Sequence, residues 1–165
     1  MDSAPRFIQI LKVLSHHEVE FILVGGLAAV VQGAPVVTFD LDIVFLKTAE
    51  NLARLLAALQ ELDARYLDPA GRHIVPDADK LSSFRMHAMI TSLGPLDAME
   101  TIGAGMSYAD LVNDTRVSEV VGVSVRVLGL EKIILSKEQA NRDKDRATLP
   151  ILRQTLFRNR GEPES

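Results

Sequence analysis

Residues 21–46 read FILVGGLAAVVQGAPVVTFDLDIVFL, and their pattern decides the architecture. Glu20 to Val24 is an apolar run of strand length that stops at Gly25-Gly26, and Leu27 to Gln32 then predicts a short helix ending near Gly33. The unit is strand, glycine pair, helix. After Ala34-Pro35, eight of the eleven residues from Val36 to Leu46 are apolar, the exceptions being Thr38, Asp40 and Asp42, which predicts a second strand.

Side chains alternate faces along a strand, so Thr38, Asp40 and Asp42 are expected on one face and Phe39, Leu41, Ile43 and Phe45 on the other. Two ionised carboxylates side by side in so apolar a segment are costly unless something positive compensates them. A bound divalent cation does so, and oxygen ligands without sulfur or clustered imidazole select a hard one, magnesium or manganese. The glycine turn supplies a matching feature: at a helix start it leaves backbone amides free for an anion. A triphosphate would lie between glycines and metal.

Working outward, Pro5 to His16 has Phe7, Ile8, Leu11 and Leu14 at helical spacing. Thr48 is placed to cap a helix whose stripe is Leu52, Leu55, Leu56, Leu59 and Leu62. Asp68 to Ser83, rich in proline, glycine and aspartate, reads as a loop that covers a site. Phe84 to Thr91 and Pro95 to Thr101 predict a hairpin across Ser92-Leu93-Gly94, followed by a helical turn over Ser107 to Val112. Thr115 to Val120 and Val123 to Leu128 predict a second hairpin around Gly122. Leu130 to Ala140 and Lys144 to Phe157 read as two helices, the second kinked or broken at Pro150. The expected organisation is a core over residues 1–128, a C-terminal helical region over 129–160 and a polar tail over 161–165.

The chain has 165 residues, 47% of them apolar and 24% charged, which suits one folded domain. With no cysteine, disulfides, thiolate metal sites and cysteine nucleophiles are excluded. No leader pattern opens the sequence and no run approaches the ~20 apolar residues that span a bilayer, so a cytoplasmic protein without a membrane role is expected. A net charge of −4 argues against general nucleic-acid binding. The charge is uneven, however: residues 130–160 hold 8 basic and 4 acidic groups, residues 1–129 hold 10 and 16. His16, His17, His73 and His87 show no ligand spacing and are read as surface or core histidines.

Leu23-Val24-Gly25-Gly26-Leu27-Ala28 followed by Thr38-Phe39-Asp40-Leu41-Asp42-Ile43 resembles the defining pattern of the DNA polymerase β-like nucleotidyltransferases, most of all minimal members and the AbiEii-type toxin branch. The resemblance runs over roughly residues 20–146. It implies an α+β fold, a mixed sheet flanked by helices with a C-terminal helical region. It implies a third carboxylate, placed at Asp97 in Pro95-Leu96-Asp97-Ala98-Met99. Lys137 and the stretch Arg142-Asp143-Lys144-Asp145 are similar to the helical part that closes these domains.

The implied chemistry is transfer of a nucleoside monophosphate from a nucleoside triphosphate such as ATP to an acceptor hydroxyl. Asp40, Asp42 and Asp97 would hold two Mg2+ ions, or Mn2+, about 3.5–4 Å apart. Gly25, Gly26, Thr38, Lys137, Arg142 and Lys144 would bind the nucleotide, and Asp97 would take the hydroxyl proton. The acceptor is RNA, a protein or a small molecule, and the toxin branch implies a small antitoxin-like partner. The sequence departs from relatives at Val36, where arginine is frequent, and at Thr148, where an acid is.

Other readings stand beside this one. The aspartates would be structural if they were ion-paired to Lys137, Arg142 or Lys144. A degenerate, non-catalytic binding subunit accounts for Val36. Phe39-Asp40-Leu41-Asp42-Ile43-Val44 also fits the motif of haloacid-dehalogenase-like phosphatases, in which Asp40 would be the nucleophile, but that reading leaves Gly25-Gly26 unexplained.

Overall fold

The computed structural model describes residues 6–161. Along the chain run α1 (Phe7–His16), β1 (Phe21–Val24), α2 (Gly25–Val31), β2 (Leu41–Phe45), α3 (Ala49–Glu61), β3 (Arg65–Tyr66), α4 (Ala78–Ser83), β4 (Met86–Thr91) and β5 (Gly94–Met99). There follow β6 (Thr101–Ile102), β7 (Met106–Ser107), α5 (Tyr108–Leu111), β8 (Thr115–Val120), β9 (Val123–Leu128), α6 (Leu130–Ala140) and α7 (Asp143–Arg160). Pro5, expected in the first helix, and most of the expected tail lie outside the described residues.

Seven strands form one sheet in the order β3-β4-β5-β2-β1-β9-β8. It is mixed: β2 runs parallel to β5 and β1 parallel to β9, and the remaining neighbours are antiparallel. The first helix packs on β9 and α3, which in turn meets α4; α2 packs on β2 and α6, and α6 on α7. This is the α+β architecture expected from the sequence, a mixed sheet flanked by helices. The core is continuous across both hairpins and the C-terminal helices, for Ile22, Leu23, Ile43, Leu55, Leu96, Val127, Ile133 and Leu152 belong to one buried cluster.

Buried polar side chains tie the elements together. Asn51, 1% exposed, accepts from the Glu20 amide and donates to the carbonyls of Glu20 and Leu46, so α3 is stitched to the ends of β1 and β2. Gln32 does the same between α2 and α6, donating to the Ala28 and Leu128 carbonyls and accepting from the Leu130 amide. Thr48 caps α3 as expected, its side chain accepting from the Asn51 amide.

Four expectations are corrected. The second strand covers Leu41–Phe45 rather than Val36 to Leu46, because its partner β1 ends opposite Asp42 and nothing pairs with the chain before Leu41. Val37 and Phe39 are accordingly 80% and 70% exposed. The second helix begins at Gly25, two residues before its expected start at Leu27, so the glycine pair forms its first turn. The stretch 68–83 is not all loop: Asp77 accepts from the Lys80 amide and caps α4. Pro150 neither breaks nor ends α7, whose Leu149 and Leu152 are anchored in the core on either side of it.

Candidate active site

Asp42 stands on β2 directly opposite Val24, the last residue of β1, and Asp97 stands beside it on β5. The register that brings the two acids together is parallel, so it depends on the crossover from β2 to β5 and not on any local turn. Asp40 lies one residue ahead of β2, at a bend, and is exposed. The three acids thus line one cleft at the end of the sheet where β1 gives way to α2.

The glycine turn lies against them. A Cβ on Gly25 would come within 2.2 Å of the Asp42 Oδ2, and Gly25 has φ +69°, which side chains disfavour. A Cβ on Gly26 would come within 2.9 Å of both the Thr38 Cβ and Oγ1. The two sequence motifs are therefore in van der Waals contact, and glycine at each position is what lets them meet. Thr38 donates to the Asp40 carbonyl, which holds the approach to β2.

Electrostatics follow from that crowding. Burial, the Asp97 charge, a hydrogen bond with the Asp97 carboxyl and the Asp40 charge together push Asp42 up to about 7, with Lys137 pulling the other way. Asp97 is raised as well, by burial and by Asp40, against a hydrogen bond from Asp42 and the charge of Lys144. The two acids repel each other within a buried setting, and the opposing charges of Lys137 and Lys144 do not cancel that effect.

A hard divalent cation is the group that this set of carboxylate oxygens fits. Among the described residues no three His, Asp or Glu side chains stand close enough together to hold a metal ion as a group.

The basic residues come from α6 and α7. Lys137, Arg142 and Lys144 line the same cleft of about 480 Å³ as Gly25, Gly26, Asp40, Asp42 and Asp97. They do not ion-pair with Asp40 or Asp42. Lys137 and Arg142 instead converge on Asp145, at 3.4 Å and 2.7 Å, while Lys144 is exposed. Asp145 is fully buried; burial pulls it up, but the hydrogen bonds and charge of Arg142, aided by Lys137, bring it below the usual carboxylate range.

Sequence reasoning did not single out Asp145 as a site residue. The available signal was its position three residues after Arg142 at a helix start, where a carboxylate reaches back to the preceding backbone amide, as Asp145 does to that of Arg142. Val36 and Thr148 both line the cleft, at the positions where the sequence departs from its relatives. His87 is a core histidine, bonded to the Tyr66 hydroxyl and near the Phe84 carbonyl.

Comparison with known proteins agrees with this geometry. The fold is similar to that of a putative nucleotidyltransferase from Thermotoga maritima, with TM-score 0.55 and 20% identity over 92% of this chain and 91% of that one. It is similar to the antibiotic-resistance factor ANT(2'')-Ia, solved in complex with adenylyl-2''-tobramycin, with TM-score 0.59 and 15% identity over 91% and 87%. It is also similar to the lincosamide antibiotic adenylyltransferase LnuA, solved with lincomycin bound, with TM-score 0.61 and 15% identity over 93% and 99%. No curated protein matches the sequence significantly. No helix among the described residues is long and apolar enough to cross a membrane. The sequence profile of the aminoglycoside-2''-adenylyltransferases matches residues 6–152, nearly the whole chain, and the protein belongs to that family and through it to the nucleotidyltransferase superfamily.

Proposed function

We propose that this protein is a magnesium-dependent nucleotidyltransferase that moves the nucleoside monophosphate of a triphosphate, AMP from ATP, onto a hydroxyl of a small-molecule acceptor. The observation that carries the reading is the in-register pair Asp42 and Asp97 beneath the Gly25-Gly26 turn. The family match and the adenylyltransferase neighbours support the reaction class.

Asp40, Asp42 and Asp97 would hold the cations. When bound, magnesium supplies charge neutralisation at the phosphate oxygens and at the attacking and leaving oxygens. The chain's own groups do the rest. The start of α2 offers backbone amides to the β and γ phosphates, and Thr38 supports that turn. Lys137 and Arg142, oriented by Asp145, and the exposed Lys144 neutralise the phosphate charge that grows on the leaving pyrophosphate. Asp97 takes the acceptor proton.

Binding of a non-hydrolysable ATP analogue, titrated with and without magnesium, tests the proposal. Metal-dependent binding in the wild type, weakened at least about 100-fold in Asp42→Asn, is the expected result, since a lost carboxylate ligand and the charge beside it act together. Absence of metal-dependent binding would leave a degenerate binding subunit.

The likeness of residues 23–28 and 38–43 to AbiEii-type toxins favours a second reading, in which the same transfer acts on RNA or protein beside an antitoxin. Label from α-phosphate-labelled ATP appearing in a macromolecule, and not in a small acceptor, would select it.

A further inference from the structure

The cleft has two unlike walls. On the side of α6 and α7 stand the basic residues, together with Ile133, Ala140 and Leu152; on the side of β4 and β5 stand Met86 and Met99, cross-strand partners, with Ile102 beyond them and no basic residue. Met99 is two residues past Asp97 on the same face of β5, and Ala88 on β4 faces Asp97 directly, so the apolar wall adjoins the group assigned to take the acceptor proton. Met86 is 52% exposed, an apolar side chain left uncovered beside a polar centre.

The charges of the cleft are equally one-sided. Among the described residues its carboxylates are Asp40, Asp42 and Asp97 and no others, and all three are committed to the cations. Glu100, next to Met99, is paired with Lys47 at 3.3 Å. An acceptor with several ammonium groups would therefore find no carboxylate of the cleft left to pair with.

Resting on the nucleotidyltransferase reading above, we infer that the acceptor is a hydroxyl-bearing small molecule with an apolar body and at most one ammonium group, seated on Met86 and Met99, and not a polycationic aminoglycoside. Its hydroxyl oxygen forms a bond to the α-phosphorus of the triphosphate, the bond from that phosphorus to the pyrophosphate breaks, and the hydroxyl proton passes to Asp97. Unbranched methionines adapt to the outline of such a body.

The test uses the full chain loaded with magnesium and the non-hydrolysable ATP analogue, with lincomycin, which has a single amine and an alkyl-substituted ring, and tobramycin, which has several amines, as the two probes. Calorimetry is expected to show lincomycin binding at least about tenfold tighter than tobramycin at physiological salt. Met86→Glu should weaken lincomycin by about tenfold or more and narrow or invert the preference, and Met86→Ala should weaken lincomycin without favouring tobramycin. Analogue binding, followed in the same titrations, reports that the variants are folded. Equal or tighter binding of tobramycin by the wild type, or binding of neither probe by analogue-loaded protein, overturns the inference alone. Failure of the analogue to bind the wild type overturns the proposed function and this inference with it.

Discussion

Asp42 is where the local chemistry is most strained. Its carboxyl is pushed from 3.8 in an unfolded chain up to about 7 by burial and by two neighbouring acids, so between those values the folded state binds more protons than the unfolded one. Stability from this group is therefore fully present below about pH 4 and is lost as pH rises towards 7. Without metal, Asp42→Asn is expected to exceed the wild type in stability by about 1–3 kcal/mol at pH 8, with the gap closing near pH 4, as read by denaturant unfolding across that range. Magnesium should narrow the gap at pH 8 by stabilising only the wild type.

Gly25 makes the complementary prediction. Alanine there must hold a positive φ and meet the Asp42 Oδ2, and a loss of about 2 kcal/mol or more is expected in the same unfolding assay. These residue-level facts were half legible in the sequence. That Asp40, Asp42 and the glycine pair belong together was implied by the resemblance their motif carries; that Gly25 must be glycine because a carboxylate oxygen occupies its side-chain space could not be read, since the contact joins the start of α2 to β2.

At the scale of elements, the start of α7 determines how the basic residues are presented. Asp145 is fully buried and receives Lys137 from α6 and Arg142 from the start of its own helix, so one carboxylate positions both of these cleft-lining cations. Asp145→Ala should cost about 1–3 kcal/mol, a range held down by the exposure of Arg142, and should also weaken binding of the ATP analogue, which can be followed by calorimetry. Asp145→Asn, which keeps the shape and loses the charge, is expected to fall between the two. The expected bounds of α6, Leu130 to Ala140, are those observed, whereas α7 runs from Asp143 through Pro150 to Arg160. The alternation of apolar and polar residues overextended β2, because an apolar run tells nothing about where the neighbouring strand ends. Pro150 misled for a related reason: its local cost is outweighed by the anchoring of Leu149 and Leu152, a tertiary effect.

At the scale of the whole molecule, the described residues share one buried core. Ile133, Ile134, Leu149 and Leu152 of the C-terminal helices are buried in the same cluster as the strands, and Gln32 is bonded across to Leu128 and Leu130. A chain ending at Leu128 is expected to lose cooperative unfolding and to expose apolar surface, seen as a shallow denaturation curve and binding of a hydrophobic dye. The cleft belongs to this scale too, since its acids come from the strands and its cations from the helices that close over them.

By itself the sequence determined the element types, the strand–glycine–helix unit and the acids that belong with it, because alternation, glycine turns and helical stripes are written in neighbouring residues. Only the tertiary structure decided what surrounds those groups: the parallel register that sets Asp97, implied by the resemblance, beside Asp42, and two methionines next to the acids. The physical reason is that sheet order and register join segments more than 50 residues apart, and no local pattern encodes the distance between them.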